Sequence, residues 1–154
     1  MYRMEKINII FLDIDGVLNN IFSMMAGPLI IFDPATINRL KQIINFTNAK
    51  IVLSTAWRLN PYLKKILINE LQKKGINKEL IIGQTPDLSI INKSRDYEIL
   101  FWVQLNKKKI KNWVAIDDLD LKKLPSKNFV RTKFHTGLTD KLTGEVISKF
   151  IFSY

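Results

Sequence analysis

With 154 residues and no cysteine, the chain can bury a real hydrophobic core but cannot use disulfides, thiolate catalysis or cysteine-bound zinc. It contains no run of about eighteen apolar residues, and residues 1–6 lack a signal-peptide pattern, so the sequence reads as cytoplasmic and without a membrane span. The excess of 24 Lys and Arg over 14 Asp and Glu, a formal charge of +10, favours anionic partners, nucleic acid first; the plainer alternative is a generally lysine-rich surface.

The first predicted element is a strand over 7–12, an apolar run rich in β-branched and aromatic residues. It leads into Asp13-Ile14-Asp15-Gly16. Side chains alternate along a strand, so Asp13 and Asp15 point the same way. Two neighbouring carboxylates repel and are costly to desolvate, so a fold that keeps them there is expected to bind a cation. Gly16 lets the chain leave the strand with an unusual backbone angle. The stretch 17–32 is apolar without a clear period and reads as a loop or hairpin flap.

Asp33-Pro34 opens a helix, with Asp as cap and Pro in the first turn, and Ile37, Leu40, Ile43, Ile44 and Thr47 follow helical spacing. A second strand is predicted over 49–53. Asn60-Pro61 starts a further helix with Leu63, Ile66, Leu67 and Leu71 on one face and Gly75 just beyond its end. A short strand over 80–82 precedes a loop at Thr85-Pro86-Asp87. Then come a helix over 94–106, with Ile99, Trp102, Val103 and Leu105 inward, and a strand over 113–116 that ends in Asp117-Asp118. Phe129-Val130 reads as an edge strand and 139–152 as a closing helix.

Alternating strands and helices predict an α/β fold with a mainly parallel sheet. In such sheets ligands sit beyond the carboxyl ends of the strands. Three strands here end in chemically capable residues: Asp13 and Asp15, Ser54 and Thr55, and Asp117 and Asp118. Acids from the first and last of these form an oxygen-rich site suited to Mg²⁺, with Asp117 the direct ligand and Asp118 its neighbour, or the reverse. Ser54 and Thr55 also fit a helix-capping role. Arg58 suits bidentate contact with a phosphate or a substrate carboxylate, or else a surface ion pair.

The run from Phe11 to Asn19 and the later Asp117-Asp118 resemble the first and last motifs of the haloacid dehalogenase (HAD) superfamily. More narrowly, Val52-Leu53-Ser54-Thr55-Ala56-Trp57-Arg58, Ile81-Ile82-Gly83-Gln84-Thr85-Pro86 and Gly137-Leu138-Thr139 look like the HAD domains of Swiss Army Knife RNA-repair proteins. The resemblance implies a Rossmann-like three-layer α/β/α domain over residues 1–154, and no large cap insertion fits between its motifs. It implies that Asp13 attacks phosphorus and that Asp15 acts as general acid and base. Asp13, the Asp15 carbonyl, Asp117 and Asp118 would hold Mg²⁺. Thr55 is favoured over Ser54, and Arg95 over Lys93, for holding the phosphate.

The resulting expectation is a Mg²⁺-dependent phosphatase for RNA or DNA ends or nucleotides. The rivals are a phosphoprotein or small-metabolite phosphatase and a non-catalytic nucleic-acid-binding module. His135, the lone histidine, is expected outside catalysis, and Trp57, Trp102 and Trp113 in the core. The run Lys107-Lys108-Lys109 with Lys111 reads as a helix end, with nucleic-acid contact as the alternative.

Overall fold

The computed structural model describes residues 3–25 and 32–152. Five strands, β1 (Ile7–Leu12), β2 (Lys50–Leu53), β3 (Ile81–Gln84), β4 (Ile110–Asp117) and β5 (Phe129–Arg131), form one sheet in the order β3-β2-β1-β4-β5. Every pairing is parallel. Helices α1 (Ile21–Met25), α2 (Pro34–Thr47), α3 (Pro61–Lys73), α4 (Arg95–Asn106) and α5 (Asp140–Ile151) connect or flank the strands. This is the Rossmann-like α/β arrangement expected, and no large cap interrupts the described residues.

Parallel sheets need both faces covered, and the period-2 alternation of β1 sorts its side chains accordingly. Ile10 and Leu12 pack with Ile51, Leu53, Val114 and Ile116 beneath α2, α3 and α5. Ile9 and Phe11 face the other way, against Val52, Ala115 and α4 through Ile99. Trp102 and Trp113 meet Phe11 edge-on at 5.4 and 5.6 Å, so both act in the core as expected.

The helix starts follow from local chemistry. The Asp33 carboxylate accepts the Ala35 N–H, Asn60 caps α3 through Tyr62 and Leu63, and Thr139 accepts the Leu142 N–H. β4 begins at Ile110, three residues earlier than expected, because Ile7 and Asn8 supply ladder partners to Ile110 and Asn112 across a register shift. Lys107–Lys109 therefore lie in a turn, and Lys111 lies in the strand rather than at a helix end. Leu105, expected inward, is exposed on α4. Within the expected flap, α1 occupies Ile21–Met25; residues 26–31 of that flap lie outside the described residues. No helix among the described residues is long and apolar enough to cross a membrane.

Candidate active site

The register brings the candidate residues together. Leu12 lies opposite Leu53 on one side and Ile116 on the other. One residue further on, the Asp13 N–H donates to the Ile116 carbonyl and the Ser54 N–H to the Leu12 carbonyl. Asp13 thus sits between Ser54 and Asp117 in a row across the carboxyl end of the sheet, where ladder pairing ends and side chains are free to serve a ligand.

Carboxylate oxygens of Asp13, Asp117 and Asp118 lie within 4.8 Å of one another. Asp13 and Asp117 are buried. Arg95, the first residue of α4, reaches both: its Nη1 lies 2.9 Å from Asp117 Oδ2 and 3.2 Å from Asp13 Oδ2. One guanidinium does not offset the burial of two carboxylates. Asp13 is pushed up to about 8, first by desolvation and then by the neighbouring Asp117 charge, against the pull of Arg95. Asp117 is raised by the same loss of water, again opposed by Arg95. Burial also works against the Arg95 charge, but Asp117 and Asp13 outweigh it and raise its pKa.

A hard divalent cation would answer this imbalance. The donor set is all oxygen and carries more negative charge than the single arginine neutralises, which suits Mg²⁺ better than a softer metal. Gly16 makes the geometry possible. Its φ is +78°, and a Cβ there would stand 2.8 Å from Cγ of Asp118. Only glycine lets the loop after β1 turn this tightly against the acid.

The Asp15 side chain is held apart from that cluster by two donors. Asn19 Nδ2 donates to its Oδ1 at 2.8 Å, and the Trp57 indole Nε1 donates to its Oδ2 at 3.1 Å. Asn19 is fixed in turn by accepting the Gly16 N–H at 2.9 Å. The sequence reading gives neither residue a role in the site. The Trp57 ring does pack against the core as expected, but its N–H faces the site. The Asn19 signal, an amide four residues after an acid in a glycine turn, is too common to stand out. The Trp57 contact joins residues 42 positions apart, which only the fold reveals.

Ser54 and Thr55 are both buried at the end of β2. Thr55 Oγ1 accepts the Trp57 N–H and caps the single helical turn Ala56–Leu59. Ser54 Oγ is buried with no partner among the described residues, an orphan beside Asp13 in the row. Both hydroxyls are thus buried just beyond β2, one capping and one without a partner among the described residues.

Arg58 departs from expectation. It is buried, and its guanidinium donates to the carbonyls of Thr85, Thr55 and Pro86 and to Glu98 Oε1 at 3.1 Å. With these donors consumed it braces the loop after β3 and is not presented to a substrate. Burial lowers its pKa, with Glu98 opposing. Lys93 is exposed and stacks over the Tyr97 ring at 4.7 Å, away from the carboxylates that Arg95 contacts. His135 sits in an exposed turn.

A model of the family described as the HAD domain in Swiss Army Knife RNA repair proteins matches residues 9–142. That span contains Asp13, Asp15, Thr55, Arg95, Asp117 and Asp118. No curated protein and no solved structure matches the chain. The family match covers most of the sequence and agrees with the parallel sheet and its acid-bearing edge, and the chain belongs to the HAD domains of Swiss Army Knife RNA repair proteins.

Proposed function

We propose that the protein is a Mg²⁺-dependent phosphohydrolase acting on phosphorylated nucleic-acid ends or nucleotides. The observation that carries this reading is the convergence of Asp13, Asp117 and Asp118 under one arginine, beside a separately held Asp15. The family description and the +10 charge favour a nucleic-acid phosphate over other esters.

In this reading Asp13 attacks phosphorus and carries the phosphoryl group as an aspartyl-phosphate. Asp13, the Asp15 carbonyl and Asp117, with Asp118 beside them, would hold a cation, which would supply charge neutralisation between nucleophile and phosphate. Asp15 gives its proton to the leaving oxygen and then takes one from the attacking water. Trp57 and Asn19 fix the carboxylate of Asp15 for both steps. Arg95 turns one donor to an equatorial phosphate oxygen. Thr55 and the unspent Ser54 hydroxyl hold the others.

Phosphate release with Mg²⁺ across end-phosphorylated RNA and DNA, nucleotides, phosphopeptides and sugar phosphates tests the reading. The expected result is activity on the nucleic-acid or nucleotide members that Asp13→Asn abolishes while the fold persists. Preference for phosphopeptides or sugar phosphates would transfer the enzyme to another substrate class. Near-native turnover by Asp13→Asn would remove the covalent mechanism.

A further inference from the structure

At the amino end of β4, away from the acidic edge, a cavity of about 710 Å³ opens between α4, β4, the turn before β5 and α5. β4 is eight residues long, so Ile110 and Asp117 at its two ends lie roughly 23 Å apart at strand spacing. Four lysines line the cavity: Lys107 from the turn after α4, Lys111 from β4, Lys127 from the turn before β5, and Lys149 from α5. Among the described residues no acidic side chain lines it. Lys149 is already held by the Ser126 carbonyl at 2.8 Å, with Glu145 at 3.9 Å. Lys107, Lys111 and Lys127 are exposed. Among the lining side chains are also Trp113, whose ring is half-buried, and Phe152, which is 64% exposed.

We propose that this cavity is a second nucleic-acid site, which holds the backbone and a base of a single strand independently of the catalytic edge. The charge comes from four separate segments, so it is assembled by the fold rather than by the Lys107–Lys111 run alone. Phosphates would meet Lys107, Lys111 and Lys127. The apolar wall, with Phe152 open to solvent, offers a face to a base. An acidic protein segment would use the lysines but leave that face without a counterpart, so the mixed lining favours a strand. The site does not depend on the phosphatase reading, because it lies at the opposite end of the sheet.

The test uses the intact chain and an unphosphorylated, mixed-sequence single-stranded RNA, with binding read by fluorescence anisotropy across a salt series. Lys107→Glu/Lys111→Glu/Lys127→Glu should weaken binding at least ten-fold. It should also flatten the log–log salt dependence by about 2, since each contact contributes roughly 0.7 for single strands. A control with the same charge change on α3 and the segment between it and β3, Lys65→Glu/Lys74→Glu/Lys78→Glu, should bind almost as wild type. Asp13→Asn should bind as wild type, and the cavity variant should hydrolyse a small phosphomonoester at the wild-type rate if the enzyme reading holds.

Equal losses in the cavity and control variants would reduce the effect to net charge and overturn the site. Loss of binding in Asp13→Asn would move the strand to the catalytic edge. An acidic peptide of equal charge that binds as tightly, with the same lysine dependence, would replace the strand with a protein partner. Absence of phosphatase activity with lysine-dependent RNA binding intact would sink the enzyme reading and leave this site standing.

Discussion

Asp15 carries a donor on each carboxylate oxygen, and the two donors come from different loops. A hydrogen bond to a charged group is worth about 1.5–3 kcal/mol, and a poorly aimed acid loses rate as well. Trp57→Phe keeps the ring and removes only the N–H. Its kcat for an alkyl-type phosphate ester should fall about ten-fold, equivalent to about 1.4 kcal/mol. A p-nitrophenyl ester, whose leaving group needs little protonation, should lose much less, and KM should stay near wild type. Equal losses for both esters would mean that Trp57 acts only through packing. Asp117→Asn should raise the Mg²⁺ concentration that gives half-maximal activity. Without metal the same variant should be more stable than wild type, because one of the crowded carboxylate charges is gone. An unchanged Mg²⁺ titration would shift the ligand role to Asp118.

At the scale of elements, the loop after β3 and the start of α4 are tied together through Arg58. The guanidinium holds the Thr85 and Pro86 carbonyls and Glu98, while the other Glu98 oxygen accepts the Leu88 N–H at 2.8 Å. Arg95 lies one turn before Glu98 on α4. Loss of the brace should therefore loosen the residue that faces Asp13 and Asp117. Breaking a buried ion pair by removing one partner costs about 3–5 kcal/mol, because the other charge stays buried. Arg58→Ala should lower the urea midpoint by a corresponding amount. Arg58→Met with Glu98→Met should recover much of that stability but not the activity. A single variant as stable as wild type would show that the loop holds itself.

Across the whole molecule, the acidic edge makes stability depend on pH and metal together. In the unfolded chain Asp13 ionises near its ordinary 3.8, whereas in the fold it keeps its proton up to about 8. Between those values the folded state binds more protons than the unfolded state. Stability from this group is therefore present below 3.8 and is lost as pH rises toward 8. In chelator, wild type should lose stability relative to Asp13→Asn between about pH 5 and about pH 8, read from paired denaturation midpoints. Added Mg²⁺ should reverse that loss, most strongly at the alkaline end, because binding needs the deprotonated acid. A pH-independent difference between the two proteins would mean that Asp13 is ionised throughout.

The sequence by itself determined the local grammar. The run 7–12 reads as a buried strand and forms one, and Asp33-Pro34 and Asn60-Pro61 set helix starts that the structure keeps. It also determined the carboxyl-end position of the candidate acids, because strand period and the glycine turn are properties of a few adjacent residues. Tertiary structure decided the rest, where the partner is far along the chain. Register put Asp13 between Ser54 and Asp117, and helix α4 delivered Arg95, rather than Lys93, to the carboxylates. The fold consumed Arg58 as an internal brace, aimed the Trp57 N–H at Asp15 and gathered four lysines around one cavity. Such contacts carry no local signature, because hydrogen bonding and charge pairing depend on distances that only the packed sheet sets.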